Sequence, residues 1–317
     1  MAEELLLIGI GLALGCTGTG IWYTMRSRAQ MRIPAARIAE VTSAITEGAV
    51  GARIESLPEA HEDLRRIASE INRLADRASK DIEEMRRLER VRSEFIANVS
   101  HELRTPIFSV QGYLETLLDG AVDDPNVSMV FLEKAYLNAL RLNALLNDLI
   151  DISRIESGEL KFSFRYFDMN ELINELVQTM QIRAEQRDVR VDLELCSVSS
   201  VYGDKERLTQ VLTNLIDNAI KYNVEGGTVR ITTRPVSKGV CIAISDTGIG
   251  IPQEHLARIF ERFYRVDKDR SRAVGGTGLG LAIVKHILEA HHSEPHVRSE
   301  QGKGTVIEFC LTANADA

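Results

Sequence analysis

The chain has 317 residues, of which 44% are hydrophobic and 26% charged, and its formal net charge is −8. That length predicts two or more domains, and the composition fits a globular protein with a solvated surface. The acidic balance argues against a basic recognition face, and so against a nucleic-acid partner. The four cysteines, Cys16, Cys196, Cys241 and Cys310, are far apart and lack metal-ligand spacing. Cys241 and Cys310 sit in apolar alternating runs and read as small buried hydrophobes in a reducing compartment.

Residues 1–4 form a short tip, and residues 5–25 carry no charge. Twenty-one helical residues rise roughly 31 Å, which matches a hydrocarbon core. Trp22 and Tyr23 lie at one end, where amphipathic rings favour the interface; Glu3 and Glu4 precede, while Arg26, Arg28, Arg32 and Arg37 follow. The charge asymmetry places the C-terminal bulk in the cytoplasm. An acidic start does not suit a cleaved signal peptide, and Ala13-Leu14-Gly15 is a poor approach to a lipoprotein cysteine at Cys16. The expectation is a retained single-pass anchor whose outer tip is too short for a sensing domain. Gly11 and Gly15 are spaced for close helix pairing, although a glycine-rich span without that role has the same spacing.

Pro34 opens an apolar-periodic segment of Ile38, Val41 and Ile45, which Gly48 and Gly51 break. An extended connector, Arg53-Ile54-Glu55-Ser56-Leu57-Pro58, leads to a helix starting near Glu62, with Ile67, Ile71 and Leu74 spaced by four and three. Helix, connector, helix over residues 32–84 resembles a HAMP relay; a plain juxtamembrane coiled coil fits the same pattern. The helix continues through Ala78, Ile82, Met85, Leu88, Val91, Phe95 and Val99 to His101, with a stutter-like shift of spacing near Ile82. Asp119-Gly120 through Asn126 ends it. A second helix is predicted over 128–156, with Leu132, Leu142, Leu145, Leu149 and Ile152 on its apolar side. Two antiparallel helices leave apolar surface that a homodimeric four-helix bundle would bury. Beyond Leu160 the runs 189–195, 228–233, 240–245 and 305–311 read as strands, and 205–222, 253–263 and 279–291 as helices. Residues 160–313 are therefore expected to form an α/β sandwich, followed by a tail over 314–317.

His101 sits inside the first long helix. A neutral imidazole nitrogen is a nucleophile towards a phosphoryl group near pH 7. A carboxylate holding the other ring N–H would fix the tautomer, and Glu102 is the nearest candidate. Adjacent helical residues point about 100° apart, so Glu102 must curl back to do this. Thr105, at i+4, shares the face of His101, where its hydroxyl could place a water. Pro106 lacks an N–H and predicts a kink. Farther on, Asn214 and Asn218 lie four apart on a predicted helix that ends in Lys221 and Tyr222. Their amide oxygens are hard ligands suited to Mg²⁺, though capping or surface amides are common; Asp217 reads as solvated. Asp246-Thr-Gly248-Ile-Gly250 follows a strand, where a carboxylate can accept from an adenine amino group and the glycines permit close backbone approach. An ordinary turn has the same residues. Gly276-Thr277-Gly278-Leu279-Gly280 opens the last helix, whose N–H groups face an anion; it is neither a P-loop nor a dinucleotide fingerprint. Residues 265–275 read as a lid, with Arg270 and Arg272 as candidates to neutralise triphosphate charge, or as solvated charges like Lys268.

The string Phe95-Ile-Ala-Asn-Val-Ser-His101-Glu102-Leu-Arg-Thr105-Pro106 closely resembles the H box of the sensor histidine kinases of two-component systems. Phe260-Glu-Arg-Phe263 resembles that family's F box, and Gly302-Lys-Gly304-Thr305 its last glycine box. With the asparagine, aspartate and glycine motifs above, the resemblance runs from about residue 34 to 313, and the overall look is close to the phosphate-regulon and cell-wall-stress branch. It implies a multidomain α and α+β chain: a dimerisation and phosphotransfer domain over 85–157 and a Bergerat-type ATP-binding sandwich over 160–313. It implies Mg-ATP as substrate, Asn218 as the Mg²⁺ ligand, and Asn214, Lys221, Tyr222, Asp246, Gly248, Gly250, Arg270, Arg272, Gly276, Thr277, Gly278, Leu279, Gly280 and Thr305 around the nucleotide. His101 would take the γ-phosphoryl group and pass it to an aspartate of a response regulator. The family links the Glu102-x-x-Thr105 arrangement to phosphatase action on that regulator. The same resemblance implies a bacterial inner membrane, with a stimulus that is intramembrane, cytoplasmic or delivered by a membrane partner. A Bergerat-type ATPase machine like gyrase or the Hsp90 chaperones shares the nucleotide boxes but does not need the string around His101. An inactive signalling scaffold would not need Asn218, Asp246 and the glycine boxes.

Overall fold

The computed structural model describes residues 32–57, 62–267 and 276–313. The expected membrane segment 5–25 lies outside them, as do Arg270 and Arg272. Among the described residues no helix is long and apolar enough to cross a membrane. The chain divides into two compact units, Met1–Glu94 and Phe95–Ala317.

In the first unit α1 spans 32–46 and stops where Gly48 takes φ +104, a left-handed value open to glycine. The connector then runs to α2, Glu62–Leu118. Ile54 and Leu57 of the connector are buried with Ala68 of α2, and Ile38, Val41, Leu64 and Ile71 pack around them. An extended residue with no sheet neighbour needs partners for its own backbone. Asn72 provides both: its carboxamide accepts from the Ile54 N–H at 2.8 Å and donates to the Ile54 carbonyl at 2.9 Å. Arg53 pairs with Asp76 at 2.7 Å beside this clamp.

In the second unit α2 is continuous through Pro106 to Leu118. Gly120, at φ +111, turns the chain. Asp124 then caps α3 (Pro125–Glu156), its Oδ1 accepting the Asn126 N–H at 2.9 Å. Proline suits the first turn because its fixed φ is helical and its missing N–H would have no partner there. The helix thus begins before the predicted residue 128. Next come β1 (Arg165–Asp168), α4 (Met169–Glu185), β2 (Arg190–Glu194), β3 (Ser200–Gly203), α5 (Lys205–Lys221), β4 (Thr228–Val236) and β5 (Gly239–Asp246). After them follow α6 (Gly280–Ala290), β6 (His296–Glu300) and β7 (Gly304–Thr312). One sheet has the order β2-β4-β5-β7-β6, parallel between β2 and β4 and antiparallel elsewhere, and β1 pairs with β3 apart from it. Ile231, Ile242 and Phe309 of the sheet are fully buried against Ile173 of α4, Leu212 and Ile216 of α5, and Ile283 of α6.

The burial of α5 decides where a site can form. Leu208, Leu212, Leu215, Ile216 and Ala219 repeat at helical spacing and are buried, which leaves Asn214 and Asn218 on another, half-buried face. Asp204 caps this helix: Oδ1 accepts the Arg207 N–H at 3.1 Å and Oδ2 the Ser163 N–H at 2.8 Å. Its own N–H donates to Nε2 of buried His291 at 3.0 Å, so Nδ1 must carry the proton of that neutral ring and donate to the Ile287 carbonyl at 2.7 Å.

Two expectations are corrected. Residues 253–263 are not a helix: a short 3-10 turn, Gln253–His255, passes into further turns. Phe263 instead adopts φ +59, and its N–H donates to the Gly278 carbonyl at 2.8 Å, a tertiary bond that local periodicity does not foretell. Cys241 and Cys310 are not separate thiols. The register of β5 against β7 sets them opposite each other and they form a disulfide, while Cys196 is free. Their sequence separation of 69 gave no hint of this pairing.

Candidate functional site

His101 is exposed on α2. Glu102 does not curl back to it. Its carboxylate faces Arg265 at 3.8 Å instead, because residues 262–265 pack along the Phe95 and Glu102 side of the helix. Phe263 lies on Phe95 with ring centroids 5.7 Å apart, and the Arg262 guanidinium sits 5.6 Å from the same ring. The Arg265 side chain is only 9% exposed, and its Nε and Nη2 have no hydrogen-bond partner among the described residues. The Thr105 hydroxyl donates to the His101 carbonyl at 3.4 Å, so it rests on the backbone of the face that both residues share.

The nucleotide motifs gather where α5, α6, β5 and β7 meet. Asn214 of α5 donates to the Gly280 carbonyl at the start of α6, at 3.4 Å. A Cβ on Gly280 would lie 3.3 Å from the Asn214 carboxamide, so a larger residue there would make that side chain give by a few tenths of an ångström. Gly248 is packed on the end of α5, where a Cβ would overlap the Tyr222 carbonyl, and the Ile249 N–H donates to that carbonyl at 3.1 Å. The Tyr222 hydroxyl points towards Gly276, 3.6 Å from where a Cβ would stand. Gly250 and Gly304 interlock the β5–α6 loop with the β6–β7 turn: their added Cβ atoms would overlap the carbonyls of Glu300 and Asp246.

Asp246 is the half-buried acid of this cluster. Its Oδ1 accepts the Gly248 N–H at 2.8 Å and the Thr305 N–H at 3.2 Å, so both backbone donors fall on one oxygen and Oδ2 remains an acceptor. Burial raises its pKa above the ordinary carboxyl value, against the pull of those two N–H groups. Thr305 therefore acts here through its backbone, while its hydroxyl bonds Ser299 at 2.9 Å. Lys221 pairs with Asp217 at 3.2 Å, and Asp217 also meets Arg183 at 3.6 Å, so Asp217 is an ion-pair partner and not a solvated bystander. The glycine-lined cradle, the second carboxylate oxygen of Asp246 and the amide oxygens of α5 offer groups that could receive a purine nucleotide with a metal ion on its phosphates.

Residues of α3 also reach this region, two apolar ones expected from its stripe and two acids that the sequence does not single out. Leu145 and Ile152 are buried in the sandwich core. Asp151 accepts from Arg207 at 3.0 Å and Gln210 at 2.7 Å, and Asp148 accepts from the Thr277 hydroxyl at 2.9 Å. A helix-spaced acidic pair such as this looks like a solvated face in the sequence, and only the docked arrangement assigns it partners.

Comparison with known proteins accords with this geometry. A family model described as Histidine kinase-, DNA gyrase B-, and HSP90-like ATPase matches residues 203–315, and one described as His Kinase A (phospho-acceptor) domain matches residues 91–158. The chain is 37% identical over 243 residues to Sensor histidine kinase WalK of Bacillus subtilis (strain 168), covering 73% of this chain and 38% of that protein. It is 30% identical to the solved Acinetobacter baumannii histidine kinase AdeS, with a TM-score of 0.55, covering 68% of this chain and 98% of that one. The crystal structure of histidine kinase ThkA in complex with response regulator protein TrrA matches at 26% identity and a TM-score of 0.59, over 75% of this chain and 67% of that one. The chain spans between 38% and 62% of the length of the first curated relatives it matches.

Proposed function

This chain belongs to the sensor histidine kinases of two-component systems, and from that premise we propose that it phosphorylates His101 from Mg-ATP and passes the group to an aspartate of a response regulator. The observation that carries this reading is one compact unit holding both an exposed helical imidazole and the glycine-lined cradle around Asp246. An imidazole nitrogen of His101 attacks the γ-phosphorus, the bond from that phosphorus to the oxygen of ADP breaks, and the phosphoryl group remains on the ring. Such a transfer needs positioning and charge neutralisation more than covalent help from the protein. Asp246 Oδ2 accepts from the adenine amino group, and the start of α6 offers N–H groups to the phosphates. Asn218 would supply one hard oxygen to Mg²⁺, and the ion would neutralise phosphate charge there. Arg270 and Arg272 are assigned to the same triphosphate charge.

Glu102 must leave Arg265 before it can orient the His101 ring. Thr105 is assigned to placing the water that hydrolyses the regulator's phosphoaspartate. The response-regulator partner is supported by the ThkA structure with TrrA. Exposed Leu132, Leu137, Leu140 and Ile150 on α3, with Leu114 and Leu118 on α2, support a homodimeric bundle. The apolar segment 5–25 and its flanking charges support an anchor in the bacterial inner membrane, and the clamp of Asn72 on Ile54 supports a HAMP-like relay over 32–84.

The test is His101→Gln. The variant should lose all acid-labile, base-stable phosphoprotein while its ATP dissociation constant stays within about tenfold of the wild type. Phosphoprotein that persists would remove His101 as acceptor. Affinity lost beyond that limit would contradict an acceptor separate from the nucleotide cradle.

A further inference from the structure

An acidic side chain that the phosphoryl transfer does not use stands at the phosphate end of the cradle. Asp148 lies on α3, and its Oδ2 accepts from Thr277 Oγ1 at 2.9 Å. Thr277 belongs to the glycine run that opens α6, and its Oγ1 also accepts the Leu279 N–H at 3.2 Å. Burial raises the Asp148 pKa; the Thr277 hydrogen bond lowers it, neighbouring Asp151 raises it and the Lys221 ammonium lowers it. A carboxylate from the bundle therefore lies within reach of the start of α6 and of the charge at the end of α5. Those are the two groups that a triphosphate would use.

We propose that Asp148 competes with the phosphates of ATP for Thr277 and the start of α6, so that a bundle helix sets the nucleotide affinity. This rests on the reading of the cradle as an ATP site. A threonine hydroxyl has one hydrogen and cannot donate to the carboxylate and to a phosphate oxygen together. Two anions at one helix N-terminus also repel each other. Entry of the triphosphate therefore displaces Asp148. Asp151 keeps α3 on α5 through Arg207 and Gln210, so α3 can tilt without leaving the sandwich. Asp148 is in these terms a positioning residue, since it acts on the reaction through Thr277.

The experiment is equilibrium binding of ATP, ADP and adenosine to the full chain in detergent and to its Asp148→Asn variant. Asparagine keeps the shape and an oxygen that can accept from Thr277, so it removes the charge alone. The variant should bind ATP roughly three- to tenfold more tightly, ADP by a smaller factor and adenosine equally. The effect should shrink in a Thr277→Val background, where the hydroxyl no longer holds Asp148 at the glycine run, as a double-mutant cycle would report. Equal ATP affinity of wild type and variant would overturn this inference alone. A shift as large for adenosine as for ATP would also overturn it, because it would reveal a merely structural role. Binding of ATP by neither protein would overturn the nucleotide site as well.

Discussion

Asp246 carries two backbone N–H groups on one oxygen and is still raised in pKa by its burial. A raised carboxyl binds its proton more tightly folded than unfolded. The stabilisation this gives is complete below the ordinary value of 3.8 and is lost as the pH rises through the folded value. At neutral pH the ionised group therefore detracts from stability. Asp246→Asn should melt at or above the wild-type temperature near pH 7.5, yet bind ATP at least about tenfold more weakly, because an amide N–H would face the adenine amino group. Calorimetry with ATP titration checks both halves; a variant that melts lower and binds normally would make Asp246 a structural acid. Asn218→Ala should also lose autophosphorylation, but excess Mg²⁺ should partly restore it, whereas Asp246→Ala should not respond. Equal rescue of the two would undo the division of roles between metal and base. Both residues stand out in the sequence by their motifs. Arg265 and Asp148 do not, since each has a role only through an opposing element distant in sequence.

Helix boundaries depend on single capping groups. Asp124, Asp168 and Asp204 each accept a backbone N–H at a helix start, a contribution of about 1 kcal/mol apiece. Asp204 also binds the neutral ring of His291, whose pKa burial lowers against the influence of the Ile287 carbonyl and Asp204. A depressed histidine contributes stability that is present above the ordinary value of 6.5 and lost as the pH falls through the folded value. The urea midpoint of the wild type should therefore fall as the pH drops below about 6.5. His291→Gln, less stable at neutral pH, should show a flatter slope. An unchanged slope in the variant would mean that another group titrates. Periodicity found α5 and α6 because their buried stripes repeat at helical spacing. It failed at 253–263, where Phe263 turns left-handed to reach Gly278. The strands β1, β3 and β6 have four or five residues each, too few for alternation to stand out.

For the molecule as a whole, α2 and α3 keep exposed apolar residues that one chain does not cover, among them Phe108, Leu114, Leu132, Tyr136 and Leu140. Burial of such side chains against a second copy would drive the proposed symmetric bundle. Leu140→Glu should therefore shift sedimentation of the full chain in detergent from dimer to monomer, with Leu132→Glu doing the same. Circular dichroism of the sandwich should stay unchanged, because neither residue belongs to its core. A dimer that survives both substitutions would place the interface elsewhere.

The residues by themselves determined the string around His101, the glycine runs, the acid after β5 and the apolar stripes of α5 and α6. These are local signals, carried by spacing along one segment. Only the tertiary structure decided that Glu102 faces Arg265 and not His101, that Cys241 meets Cys310, and that Asp148 takes the Thr277 hydroxyl. Each of these pairs joins separate elements of the chain. Such pairs depend on sheet register and on how a helix docks, and both follow from the whole buried core rather than from the spacing within any one segment.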